Sequence, residues 1–169
     1  MSSIDTYRIQ ETARQFSLQP FYPYKKRLKW YAGSVLLIGI AGLYCFHQVN
    51  DTVKIIGSAL LIVLAGFGIK EGIFEATIAY TFDIDSNAVY QKISFLPRRK
   101  ILALNEVVLF KSNELGSWHY TMGADKKQFL KNYTISERFG TDNSARLLAY
   151  EDEVLTKIKT CIVAAINSN

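Results

Sequence analysis

A pair of apolar runs separated by a few polar residues constrains this chain more than anything else in it. Trp30 to Phe46 contains no charged residue, and His47, Gln48 and Val49 extend it. After Asn50-Asp51-Thr52, the segment Val53 to Phe74 is again apolar, with an uninterrupted core from Ile55 to Ile69 bracketed by Lys54 and Lys70. A helix needs about 20 residues to cross the hydrocarbon layer, and lysines at its ends can extend their amines to the headgroups. The runs therefore predict a hairpin of two transmembrane helices, over about residues 30–49 and 53–74, made antiparallel neighbours by the short turn. Trp30, Tyr31 and Tyr44 fall toward the ends of the first span, where amphipathic rings favour the interface. A soluble protein of 169 residues has no core large enough to surround two helices that are apolar on every side. A cleaved signal peptide is disfavoured by the polar residues 1–29 in front and by the length of the first run.

Whole-chain averages hide this division: the mean hydropathy is only +0.06 and the pI about 9.1. Residues 1–29 carry Arg8, Arg14, Lys25, Lys26, Arg27 and Lys29 against Asp5 and Glu11, which is +4 of the net +5; residues 30–74 are balanced and the remainder supplies +1. The basic collar Lys25, Lys26, Arg27 and Lys29 stands just before the first span, whereas the turn offers only Asp51 and Lys54. Lysine and arginine excess marks the cytoplasmic side, so both termini are expected in the cytoplasm of a bacterial cell and the protein in its inner membrane as a multi-pass chain. Because the surplus charge is a collar and not a patch on a fold, no nucleic-acid partner is expected. In the arm itself, Phe16, Leu18, Phe21, Tyr22 and Tyr24 precede the collar, and Pro20 and Pro23 preclude an unbroken helix. Two readings stay open: a flexible tail carrying a topology signal, or a segment lying along anionic headgroups.

Lipid supplies no hydrophobic force between helices, so close approach depends on small residues. Gly33, Gly39 and Gly42 in the first run and Gly57, Gly66, Gly68 and Gly72 in the second are candidates for that seam, and Gly68 and Gly72 have the GxxxG spacing. They serve packing within the hairpin or self-association.

Beyond Phe74 the pattern changes to period two. Ile78, Tyr80, Phe82 and Ile84 alternate with Thr77, Ala79, Thr81 and Asp83, which predicts a half-buried strand. Asp85-Ser86-Asn87 is a turn signal and Val89 to Leu96 a second strand. Further strands are expected at Ile101 to Leu104, Glu106 to Lys111, Ser117 to Met122 and Phe129 to Glu137, with loops holding Asn113, Gly116, Gly123, Asp125 and Gly140. The end is an amphipathic helix: Val154, Leu155, Ile158, Cys161, Ile162, Ala165 and Ile166 share a face opposite Lys157, Lys159 and Thr160. Glu151, Asp152 and Glu153 are placed in its first turn, where carboxylates oppose the positive end of the helix dipole. The expected organisation is an arm over 1–29, a membrane hairpin over 30–74 and a small cytoplasmic antiparallel β domain with a C-terminal helix over 75–169, a membrane α+β fold.

A run of short strands closed by one amphipathic helix, behind two membrane helices, resembles the bacterial pleckstrin-homology-like (PH-like) membrane proteins of the YcxB-like group. The likeness covers roughly residues 75–167 and the hairpin, and it rests on element order and on Tyr80-Thr81-Phe82-Asp83-Ile84-Asp85 followed by Val89-Tyr90-Gln91-Lys92. It implies a scaffold or binding module with no catalytic residue to carry over. Phosphoinositide-binding relatives in that wider class place cations in the first hairpin loop, where this chain has Asp85-Ser86-Asn87.

Chemistry-bearing residues are sparse. Cys45 and Cys161 have neither metal-ligand nor redox spacing and read as small buried hydrophobes. Asp83, Asp85 and Asn87 open like a calcium loop, but Ala88 stands where glycine is needed and Ser94 where a bidentate glutamate is needed. His47 and His119 fall in different regions and share no ligand spacing. GxSxG, HExxH and a phosphate-cradling glycine loop are missing from the sequence. No catalytic residue, metal, cofactor or small-molecule substrate is expected. The best local candidates are Arg98-Arg99-Lys100, three cations suited to anionic lipid or an acidic partner, and Trp118 with Tyr120, which form either a partner surface or sheet core. The expected function is a non-enzymatic membrane-anchored binding module, a subunit or regulator of an inner-membrane assembly, whose partners are lipids and another membrane protein or itself. Two alternatives are an immunity protein against a membrane-inserting toxin and a sensor of anionic lipid that uses Arg98, Arg99 and Lys100.

Overall fold

The computed structural model describes residues 6–45, 50–114, 116–124, 132–140 and 144–167. It divides into two compact units, Pro23–Ala76 and a second unit built from Met1–Tyr22 together with Thr77–Asn169.

The first unit is helical. Helix α1 spans Tyr24–Cys45 and α2 spans Asp51–Ile69, continued by a π turn at Lys70–Phe74. Asn50 starts α2 as its N-cap, its side-chain oxygen accepting from Val53 N at 3.1 Å. Gly68 and Gly72 face α1. A Cβ added at Gly68 would lie 2.6 Å from the Tyr31 ring, and one at Gly72 would overlap Leu28, whereas Gly33, Gly39, Gly42, Gly57 and Gly66 meet nothing within 4 Å. The GxxxG pair therefore packs the two helices of one chain together, and the wider glycine seam is not formed. Tyr31 is also drawn into that contact, donating its hydroxyl to Leu64 O at 2.6 Å instead of projecting as an interfacial ring.

Nothing in α2 is buried, and side chains such as Leu36, Leu43, Ile55 and Ile62 are largely exposed. The helical stretch Asp51–Thr77 is long and apolar enough to cross a membrane, with mean hydropathy 2.1 over its apolar window. Leu28–Tyr44 is apolar but shorter, so length and composition support one span of the expected two. His47 and the end of the expected first span lie outside the described residues.

The second unit is α+β, with antiparallel sheets and a C-terminal helix. Strands β1 (Gln10–Glu11), β2 (Gln15–Leu18), β3 (Ile78–Asp83), β4 (Ala88–Ile93) and β5 (Arg99–Leu102) form one sheet in that order. Strands β6 (Val107–Glu114), β7 (Ser117–Ala124) and β8 (Tyr133–Thr134) form the other. The first part of the arm is corrected here: residues 10–18 are not a flexible tail, because β2 pairs with β3, Phe16 opposite Phe82 and Leu18 opposite Tyr80. Phe16 and Leu18 are fully buried, and Tyr7 packs edge-on against Tyr150 while donating its hydroxyl to Glu137 at 3.0 Å. The sheet unit is thus interrupted in sequence by the helical one, and its boundaries differ from the expected 75–169.

Most other strands fall where the alternation places them. β4 stops at Ile93 and not Leu96 because Ser94 turns to φ +36° and Leu96 N donates to Ile93 O at 2.7 Å. Asn87 takes φ +43° in the β3–β4 turn, a conformation asparagine tolerates, and its side chain accepts from Asn105 N at 3.0 Å. Of the strand expected at 129–137, only β8 is formed among the described residues.

The terminal helix begins earlier than expected, as α3 (Ser144–Tyr150), a π turn at Glu151–Leu155 and α4 (Thr156–Asn167). Glu151, Asp152 and Glu153 consequently sit inside it and not in its first turn. Tyr150, an anchor not recognised from the sequence, is fully buried and donates to Ile135 O at 2.5 Å. The expected apolar face holds: Val154, Leu155, Ile158 and Ala165 are buried, while Ile166 at its end is 53% exposed.

Two outcomes follow. Phe16→Ala or Leu18→Ala should destabilise the sheet unit by roughly 2–5 kcal/mol in thermal unfolding of the full chain in mild detergent, whereas Ile166→Ala should be nearly silent. Gly68→Ala should weaken the helix pair by about 1–3 kcal/mol in denaturing-detergent titration, since the Tyr31 ring is held by its hydrogen bond and cannot yield. Gly33→Ala should leave it unchanged.

Candidate functional site

The basic collar lies in the first two turns of α1. Lys25 is half-buried and Lys29 exposed. No acidic residue stands in that first turn, and the sequence places basic residues at 25, 26, 27 and 29, in the opening turns where the helix dipole is positive. Their placement does not serve helix stability.

Arg99 and Lys100 open β5 and Arg98 directly precedes it, but they are not three equivalent cations. The Arg98 guanidinium lies 3.8 Å from the centroid of the Tyr90 ring and 3.8 Å from an Asp83 oxygen. Arg99 donates to Gln91 Oε1 at 2.8 Å, and Gln91 in turn donates to the Tyr80 hydroxyl at 3.4 Å. Burial pushes the Tyr80 phenol well above its ordinary value, so it stays neutral. Lys100 is exposed and makes no ion pair among the described residues. Sheet contacts thus engage two of the three, leaving Lys100 outward.

Trp118 and Tyr120 belong to β7 and prove to be mainly core. Tyr120 is only 6% exposed and stacks on Tyr150 with ring centroids 5.9 Å apart. Trp118 is half-buried, packed 5.8 Å from Tyr120 and 5.4 Å from Phe139. Beside them lies an arrangement no spacing rule in the sequence could reveal. Lys111 on β6 sets its ammonium 4.6 Å from the Trp118 ring and 3.3 Å from Glu151, whose carboxylate also accepts from the Tyr120 hydroxyl. The Tyr120 hydrogen bond and then Lys111 hold the Glu151 carboxyl below its ordinary value. Leu109, Phe110, Leu155 and Lys159 complete an open groove of about 400 Å³ between β6 and the helix. With Lys111 and Lys159 against Glu151, the groove carries a net positive charge and an apolar floor. Its one carboxylate is engaged by two partners, Lys111 and Tyr120.

The remaining candidates are placed as follows. Asp83 accepts from Gln15 Nε2 at 3.0 Å and from Ser86 N at 3.3 Å, and Asp85 pairs with Arg14 at 2.5 Å. These contacts assign the calcium-like residues to the turn. Among the described residues no three His, Cys, Asp or Glu side chains converge as a metal-binding group. Cys161 is half-buried, and burial raises its thiol pKa. His119 is 8% exposed, and burial, then Arg138, pushes its imidazole below the ordinary 6.5. Compared with protein families, curated proteins and solved structures, the chain matches none.

Folding favours neutral His119, so its contribution is intact above pH 6.5 and is lost as pH falls from there through the folded-state value. His119→Gln should therefore flatten the fall of the unfolding temperature between about pH 7.5 and about pH 5, relative to the unsubstituted chain. An identical fall in both proteins would show that His119 does not titrate with folding.

Proposed function

We propose that the protein is a non-enzymatic, membrane-anchored binding module, a subunit or regulator of an inner-membrane assembly, with α1 and α2 crossing the bilayer and the sheet unit in the cytoplasm. One observation carries this reading: a helical pair with its apolar side chains turned outward is inserted between two adjacent strands of a single sheet. Leaving that much apolar surface in water costs roughly 25 cal/mol per Å², and a bilayer removes the cost. Since β2 and β3 are neighbours, the chain that leaves after Leu18 must return at Ile78 on the same side of the membrane. Two crossings satisfy that; a single one does not. The shorter apolar run of α1 is then completed at its cytoplasmic end by Lys25 and Lys29 reaching into the headgroups. The collar supports a cytoplasmic placement of that end.

Two antiparallel sheets followed by a helix support the PH-like reading, in which the domain is a binding platform. With the N-terminal strands included, Asp85-Ser86-Asn87 is not the first connection of the sheet, and its acidic character no longer bears on lipid contact at the end where the hairpin departs. The groove at Lys111, Glu151 and Lys159 is a surface suited to contact with a partner. Tethering such a surface to the bilayer raises its effective concentration toward other membrane proteins.

Topology is tested with single cysteines in a Cys45→Ser, Cys161→Ser chain in intact cells. A membrane-impermeant maleimide should label Asn50→Cys at once and Ser86→Cys only after lysis, and alkaline carbonate should leave the chain with the membranes. Labelling of both positions in intact cells, or release by carbonate, would overturn the reading.

A further inference from the structure

We propose that the β4–β5 loop is a membrane-interface contact, in which Phe95 and Leu96 dip into the headgroup layer while Lys92 and Lys100 meet anionic lipid; the proposal rests on the membrane hairpin inferred above. Phe95 is 73% exposed and Leu96 45%. Among the described residues of the sheet unit, Phe95 is the one aromatic side chain left largely exposed, and it stands beside another apolar residue at a loop tip. The tip is shaped locally: Ser94 adopts φ +36°, and Leu96 N closes a turn onto Ile93 O. Pro97 follows, fixing its own φ and lending the loop no backbone donor.

The flanking charge fits the same ligand. Tyr90 lies opposite Lys100, and Lys92 is two residues along β4 from Tyr90, so both lysines share one sheet face, and both are exposed. Arg98 is drawn back over Tyr90 toward Asp83, which leaves Lys92 and Lys100 as the forward cations. An aromatic tip with lysines behind it matches a surface whose outermost layer is anionic and whose next layer is apolar.

Sheet register supplies the geometry. β2 ends at Leu18, opposite Tyr80, and β3 begins at Ile78, opposite Ile93, the last residue of β4. The loop 94–98 therefore emerges from the end of the sheet at which the chain departs for α1 and returns from α2. The Asp85-Ser86-Asn87 turn is at the other end. From Leu18 to the start of α1 at Tyr24 is a span of at most about 20 Å even if fully extended.

The test uses the full chain carrying Cys45→Ser and Cys161→Ser, reconstituted in nanodiscs of phosphatidylethanolamine and phosphatidylglycerol. An environment-sensitive fluorophore is placed singly at Phe95→Cys, Ser86→Cys or Ile62→Cys. Spin-labelled lipids should quench the label at 95 several-fold more strongly than the label at 86, and the label at 62 should be quenched by deep spin labels. Equal, weak quenching at 95 and 86 with strong quenching at 62 overturns the loop assignment while leaving the hairpin intact. A label at 95 shielded from aqueous iodide yet untouched by lipid quenchers points to protein contact and overturns it too. No lipid quenching at 62 removes the hairpin, and the loop proposal with it.

Discussion

The pairing of β2 with β3 is the interaction on which the rest of this structure depends. It joins residues separated by the whole helical unit, Leu18 to Tyr80 and Phe16 to Phe82, and buries all four side chains. Once it forms, the intervening segment is a closed excursion whose two ends lie on adjacent strands. That geometry favours an even number of helices joined by a short turn. It also makes the N-terminal residues part of the core, where Tyr7 reaches Glu137 and Tyr150. Closing a loop of this length costs only slightly more than closing a shorter one, so a few fully buried residues suffice to hold it.

A second dependence runs through Tyr150. Its ring meets Tyr7, Tyr120 and Phe139, and its hydroxyl reaches Ile135 O, so one side chain ties the N-terminal segment, β7, the chain after β8 and the helix together. The π turn begins one residue later. Glu151 at its start turns to Tyr120 and Lys111 and makes one wall of the groove. A widened helical turn at that point is consistent with the frequent use of such turns where side chains must be re-aimed toward a surface.

Local periodicity was legible and long-range pairing was not. Ile78, Tyr80 and Phe82 alternate over enough residues to declare a half-buried strand, and Val154, Leu155 and Ile158 keep helical spacing, so those elements are found where the pattern puts them. Phe16 and Leu18 offer only two apolar positions, too few to set a period, and their partners lie beyond the apolar runs. The carboxylates at 151–153 lie inside the helix because its start at Ser144 is earlier, and an acidic triplet resembles a first turn wherever it occurs. The Lys111–Glu151 contact joins an edge strand to a helix, and no spacing in the chain encodes it. Gly68 and Gly72 were singled out by spacing, but only the neighbouring Tyr31 and Leu28 decide that the pair closes onto α1.

The charges near the helical unit fit one explanation better than its competitors. The sequence sets basic residues at 25, 26, 27 and 29 in the opening turns of α1, and a cation exposed there opposes the helix dipole at a cost of up to about 1 kcal/mol at low salt. Helix stability therefore works against this arrangement. At a bilayer the balance reverses, since each lysine or arginine close to an anionic leaflet gains about 1 kcal/mol. Lys92 and Lys100 share a sheet face and are both exposed, and in the arrangement proposed above the same exchange would apply to them. In the membrane arrangement proposed above, an anionic leaflet would offset the unfavourable charge at both places.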